Sequence, residues 1–386
     1  MLNSLFPMGR TWDWGTFVLY VIVTMIVTTL CKQGAIYKSV PKRRSNNNAQ
    51  RISNVCYILA VVILTLLGSL RSYEVGADTV HYVNDFKNAT TFGFDWSKLF
   101  SFHQSEPGYQ LYLMLIRKLS SNYTALFFIT YALVSNAYVR YIRYFFDEHS
   151  DYIFLQIFIF YYVSNMSGMR SALGMVFLLP SFIAIDKKKY LYALLLTAAA
   201  CMFHFTMIFN FFVIIAVWVL HQNNLRKKKW VWFFAIACVL MVAYFGTYWL
   251  KGLLVDTKYE FYSSISMDDV SLLGSLFYVL FGIVAFIFMR RIAMEGGKAE
   301  SSLIISLCFL VTYPALVVVQ AYRIPNYYVM PRLSIWSKST EYIYGYAANR
   351  ETKVIMKIII QVVVLLYLLF RFTRSAGSGS FAYILK

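Results

Sequence analysis

Long apolar runs separated by short polar segments dominate the chain. They fall near 14–31, 54–70, 123–145, 152–167, 169–185, 190–203, 205–220, 230–249, 272–289, 303–320 and 354–370. Most come close to the roughly 17–20 residues that a helix needs to cross a hydrocarbon core about 30 Å thick. A backbone in lipid must satisfy its own hydrogen bonds, so such runs predict a bundle of helices. The alternating strands of a membrane barrel are absent. The pattern therefore predicts an all-α, polytopic transmembrane bundle of about 11–13 spans. With no internal repeat and no Gly/Ser linker, residues 1–386 read as one integral membrane domain.

Charge orients the bundle. Residues 32–53 carry Lys32, Lys38, Lys42, Arg43, Arg44 and Arg51 without an acid, so this loop is expected on the cytoplasmic side. Segments 71–106 and 250–271 hold nine acids and five Lys or Arg, which suits the outer side. Lys187–Lys189 and Arg226–Lys229 are both expected inside, so residues 190–220 must go out and back, turning near His204. The run 152–185 also needs two crossings, and its only break is SNMSGMRS, around Arg170. GYQLYLMLIRKL, at 108–119, is then too short to cross and is expected to be a half-helix or re-entrant segment within an outer region 71–121. Residues 321–350 are aromatic, polar and broken by proline, and their path is left unassigned. The first apolar run lacks a basic leader and a cleavage site, so it is expected to be a retained helix.

Composition agrees with this class. The chain is 59% hydrophobic and only 14% charged, against about 25% charged in soluble domains. A net charge of +18 raises nucleic acid as a partner, but the basic residues sit in PKRRS, DKKKY, LRKKKW and FMRRI, between apolar runs. That distribution fits sidedness and anionic lipid headgroups, so no nucleic acid partner is expected. Cys31, Cys56, Cys201, Cys238 and Cys308 show no paired spacing, so neither a disulfide framework nor a zinc site is supported.

The topology, built from Lys and Arg clusters, gathers Arg71, Asp78, Glu106, Arg170, His204 and Arg323 at the outer boundary. Ionisable groups at bilayer depth are costly and usually face a polar cavity. Each residue also has a plainer reading. Arg71 can snorkel after its span, Asp78 and Glu106 can start helices at Thr79 and Pro107, His204 can be a core histidine, and Arg323 can belong to an aromatic belt. Arg170, in the middle of an apolar run, is the hardest to explain structurally. Three arginines and a histidine on one face point to an anionic ligand, since guanidinium forks match phosphate oxygens. No phosphate-binding glycine loop, HExxH, GxSxG or dinucleotide fingerprint is present. The adjacent acids of MDD, at 267–269, are a weak cation signal, and neither a metal nor another cofactor is expected.

RSYEVGADTVHYVNDF, SEPGYQLY, GMRSALGMVFLL, AACMFHFTMIF and YRIPNYY together resemble the EpsG-type, Wzy-like family of bacterial polysaccharide polymerases. The resemblance covers roughly residues 50–215. It implies a GT-C-like membrane glycosyltransferase that joins oligosaccharide repeat units carried on undecaprenyl diphosphate. The work would take place at the outer face of the bacterial cytoplasmic membrane, in exopolysaccharide, capsule or O-antigen synthesis. Donor and acceptor would both be lipid-linked, and chain-length regulators and flippases are further expected partners. Arg170, Arg71 and Arg323 would hold the diphosphate, and His204 would be the base, with Asp78 or Glu106 as alternatives. Tyr82 and Tyr109 would contact substrate. A flippase would also need a cationic cavity, but polar residues at both leaflets and related halves are not seen. A membrane acyltransferase that decorates the polysaccharide is the other alternative.

Overall fold

The structure, a computed structural model, describes residues 13–40, 47–89, 106–221, 287–288, 291–292, 297–310 and 324–375. Among these there is no strand, and the fold is an all-α bundle. The expected span 230–249, nearly all of 272–289, the second half of 303–320, the loop 250–271 with MDD, and Arg323 lie outside the described residues.

Helix α1 (Trp14–Ser39) starts at Asp13, whose carboxylate accepts hydrogen bonds from the backbone N–H groups of Gly15 and Thr16. It pairs with α2 (Asn47–Ser69) across Gly34, where a Cβ would lie 2.8 Å from the Tyr57 ring. The two short helices α3 (Thr79–Asn88) and α4 (Pro107–Leu119) follow. At 13 residues, α4 reaches about 20 Å, too little to cross a membrane, in keeping with the expected half-helix. Helix α5 (Tyr123–Phe145) occupies the predicted span residue for residue and packs against α2.

A 3-10 turn (Phe154–Ile157) leads into α6 (Phe158–Ser167), and Gly168 separates α6 from α7 (Met169–Asp186). The break in the long apolar run is thus where SNMSGMRS put it. Helix α8 (Tyr190–Phe203), a 3-10 turn (Phe205–Ile208) and α9 (Phe209–Leu220) form the out-and-back pair around His204. The pair closes on itself, since Tyr190 OH lies 2.9 Å from His221 Nδ1. Inside the apolar layer, Asn210 Nδ2 donates to Ser181 Oγ at 2.9 Å and to Thr197 Oγ1 at 2.7 Å, tying α7, α8 and α9 together.

Helix α10 (Gly297–Leu310) packs on α11 (Val329–Gly345), which follows a helical turn at Ile324–Tyr327. The unassigned segment 321–350 is therefore largely helical where described. It is also largely interior: Arg332, Ser337, Ser339 and Thr340 are all buried. Helix α12 (Arg350–Ser375) lies at the edge of the bundle, held by a reciprocal amide pair between Gln156 and Gln361 and by Phe372 stacked on Tyr20. Its Ile355, Ile358, Ile359, Val362 and Leu366 face outward, as a lipid-facing helix requires.

Five of these helices, α1, α2, α5, α7 and α12, are long and apolar enough to cross a membrane. The basic residues that orient the chain meet at one end of the bundle. Lys38 Nζ donates to Arg143 O at 3.0 Å and Lys298 Nζ to Tyr144 O at 2.7 Å, capping the C-terminus of α5. The candidate site lies at the other end.

Candidate functional site

Arg71 organises the first part of that end, but not as a ligand-binding residue. Its side chain is fully buried. Nε donates to Gly68 O, Nη1 to Val75 O and Thr79 Oγ1, and Nη2 to Tyr131 OH and Met166 O, the last two at 3.0 Å. The guanidinium also sits 4.7 Å from the centre of the Phe127 ring. With its nitrogens all engaged, it has nothing to offer a diphosphate, and the expectation for Arg71 is corrected. It is instead the post that fixes loop 70–78 to the end of α6.

Gly76 completes that fixation. Its φ is +99°, and an added Cβ would lie 2.9 Å from Met166 O, so this position requires glycine twice over. Ala77 N donates to Ser167 Oγ at 3.1 Å. The loop is thereby pressed onto the junction that carries Arg170. Helix α3 begins at Thr79 as expected, but Asp78 makes no capping hydrogen bond with its side chain. No ion pair joins Asp78 to Glu106, Arg170 or His204 among the described residues.

The centre of the site is Glu106. Because it precedes Pro107, its backbone is held extended, at φ −57° and ψ 142°, and its carboxylate does not cap α4. The carboxylate turns inward, with Oε2 at 2.9 Å from Arg170 Nη1 and Oε1 at 3.5 Å from His204 Nδ1. Arg170 is the second residue of α7, so guanidinium and positive helix end reinforce each other. His204 is extended, at φ −156° and ψ 104°, where the out-and-back pair turns. The sequence expectations for Glu106, Arg170 and His204 thus meet in one cluster built from three separate elements.

Gly108 explains how they come so close. An added Cβ there would lie 2.8 Å from both Cβ and O of Met202, two residues before His204. Only glycine lets α4 approach the end of α8 this far. Gly108→Ala is expected to push the helices apart and lower activity by at least about tenfold, since a 1 Å misplacement can cost 10²-fold. Protein amount in the membrane should stay near wild type, and quantifying both in the same preparation checks the split.

Tyr82 and Tyr109 do not offer stacking faces to a sugar. Tyr109 is fully buried and Tyr82 nearly so, packed edge to face with ring centres 5.9 Å apart. Both rings are packed inside the protein, and a substrate contact by Tyr82 or Tyr109 stays a proposal. Burial raises the Tyr82 hydroxyl above its ordinary range, while Arg170 pulls it down by charge and a hydrogen bond. Three further residues, each inside a quoted motif segment, carried no role from the sequence. Asp85 lies one turn beyond Tyr82 on α3 and is exposed at the surface. Crowding by the protein raises its carboxyl above the usual range, against the pull of Arg170 and His81. Tyr327 meets the His204 ring edge to face at 5.9 Å, and Thr206 Oγ1 lies 3.0 Å from the Tyr327 hydroxyl. The i, i+3 spacing of Asp85 from Tyr82 was the available signal for the first. The other two lie inside AACMFHFTMIF and YRIPNYY, and that resemblance was the signal available for them.

Among the described residues no group of three His, Cys, Asp or Glu side chains is placed to hold a metal ion. The cluster combines a reachable guanidinium with an imidazole and a buried carboxylate, a set suited to binding an oxyanion and moving a proton beside it. A search of curated proteins and one of solved structures returned no match. The EpsG family model, in contrast, matches residues 54–385, far beyond the segments in which the motifs lie. With helices long and apolar enough to cross a membrane several times, and a family match over most of its length, the chain is a multi-pass membrane protein that belongs to the EpsG family.

Proposed function

We propose that the protein is a polysaccharide polymerase that joins oligosaccharide repeat units carried on undecaprenyl diphosphate, working at the outer face of the cytoplasmic membrane. Membership of the EpsG family supports a polysaccharide polymerase-type function. The observation that carries the finer reading is the Glu106–Arg170–His204 cluster at the end of the bundle opposite the Lys38 and Lys298 caps.

In this reading the acceptor hydroxyl attacks the anomeric carbon of the donor sugar. The new glycosidic C–O bond forms as the bond from that carbon to the diphosphate oxygen breaks. The hydroxyl proton goes to His204, whose Nε2 lies on the ring edge away from Glu106. The electron pair of the broken bond leaves with the lipid diphosphate, where Arg170 and the N-terminus of α7 stabilise it. Glu106 orients the imidazole through Nδ1 and stabilises it once protonated, the role a carboxylate plays behind a histidine base. A role for Arg323 in holding the diphosphate stays a proposal.

The direct test supplies purified protein with a lipid-linked repeat unit and resolves the products by size. A ladder of longer chains is expected; unit-length product alone would reject the reading. Sidedness has its own prediction. In a cysteine-free background, Glu74→Cys should react with an impermeant maleimide in intact cells, and His149→Cys only after permeabilisation. Both residues are exposed, so reaction depends on side rather than burial. The reverse pattern would place the site on the cytoplasmic face.

A further inference from the structure

Glu106 faces both Arg170 and His204 with one carboxylate. Its side chain is 5% exposed, and its contact to Arg170 is short at 2.9 Å, while that to His204 is stretched to 3.5 Å. The first is a charge-assisted hydrogen bond of ordinary length. The second is longer than a hydrogen bond. Arg170, at 30% exposed, is the member of the trio an incoming anion can reach. The carboxylate is thus committed to the group that a ligand would compete for.

We infer that a diphosphate bound at Arg170 displaces Glu106 from the guanidinium and drives it onto His204 Nδ1, so that donor binding arms the base. A diphosphate offers the guanidinium more negative charge and more acceptor oxygens than a carboxylate does. Glu106 is buried, and an unpaired buried charge is strongly disfavoured, so it follows the remaining partner. Its Oε1 already faces Nδ1, and a movement of less than about 1 Å converts the stretched contact into a full charge-assisted bond. No covalent bond changes in the exchange. Its consequence is an order of events: before the donor arrives Glu106 lies closer to Arg170 than to His204, and afterwards the imidazole holds a proton more readily.

This rests on the polymerase reading for the identity of the anion, but it can fail independently. Other groups facing the trio are Asp85, His81 and Tyr82 on α3, Tyr109 on α4 and Tyr327 before α11, and all remain in place in the variants below. The experiment uses full-length protein in nanodiscs with nitrogen-15 histidine, its His204 signal assigned by loss in His204→Gln. The pH midpoint of His204 is followed with inorganic pyrophosphate, with a polyprenyl diphosphate, and without either.

A rise of about one unit or more is expected in wild type, as for an opposite charge brought within hydrogen-bonding distance. In Glu106→Gln, which keeps the shape and loses the charge, the rise should fall to less than a third. Arg170→Gln should abolish the response to either compound. A response to the lipid compound alone would support the exchange and assign delivery to the lipid chain; a response to both would make the headgroup sufficient. An equal rise in wild type and Glu106→Gln, or none in wild type, would overturn it. A coupled shift without a product ladder would keep the exchange and reject the polymerase reading, and a ladder without the shift would do the opposite.

Discussion

His204→Gln is expected to slow polymer formation by roughly 10²–10⁴-fold, the range for loss of a positioned general base. Glutamine keeps much of the side chain's size and polarity but cannot take up a proton near neutral pH. The diphosphate should still bind nearly as well, because Arg170 and the N-terminus of α7 are untouched. Cells carrying the variant should display single repeat units at their surface without long chains. A transporter with a damaged histidine would instead leave those units inside. A histidine that merely fills space between Tyr327 and Glu106 would lower the amount of protein, with normal chain length per molecule. Full-length polymer at the wild-type rate would remove His204 from the mechanism.

Arg71→Leu should act on the protein rather than on the reaction. The substitution removes every bond from the guanidinium, leaving the Thr79 hydroxyl as the one shared donor to Val75 O and Met166 O, while Tyr131 OH keeps its bond to Asn165 O. Each hydrogen bond to a charged group contributes about 1.5–3 kcal/mol, and an unsatisfied buried partner costs about 1–3 kcal/mol. A total loss of at least about 4 kcal/mol is a large share of the stability of most folded proteins. Little protein should accumulate in the membrane, and what does accumulate should lose thermal stability in detergent. The informative variant is Arg71→Lys, which keeps the charge but cannot bridge as many acceptors. It should fold poorly too, while the molecules that fold should bind pyrophosphate as wild type does. Selective loss of pyrophosphate binding with normal stability would return Arg71 to the ligand site.

The helices were legible because lipid imposes a length and a composition that hydropathy records directly. The predicted 123–145 span, the break at Gly168 and the turn at His204 all follow from apolar run length and the parity of basic clusters. Glu106, Arg170 and His204 were legible as interruptions in otherwise apolar or turn-like sequence. What the chain does not declare locally is the direction a side chain takes. Arg71 looks like any arginine at the end of a span; its role depends on Tyr131 and Met166, 60 and 95 residues away. Tyr109 looks like an available aromatic, yet its neighbours bury it completely. Helix α11 stayed unassigned because its buried face carries serine, threonine and arginine, so a hydropathy reading mistakes an interior helix for a surface segment.

The anchoring of Arg71 to Met166 also bears on how the protein is made. Arg71 leaves the ribosome long before the segment that receives it, and the carbonyl it needs belongs to a residue 95 positions later. During insertion the nascent α2 must hold an unaccompanied cation at the membrane boundary, where water and lipid phosphates serve as temporary partners. Only when α6 enters beside α5 can the guanidinium exchange them for Tyr131 and Met166. The loop bearing Gly76 and Asp78 therefore takes its final shape late in biogenesis, together with the helix junction that carries Arg170. A chain arrested before residue 166 would present this region unassembled to the membrane's quality-control proteases.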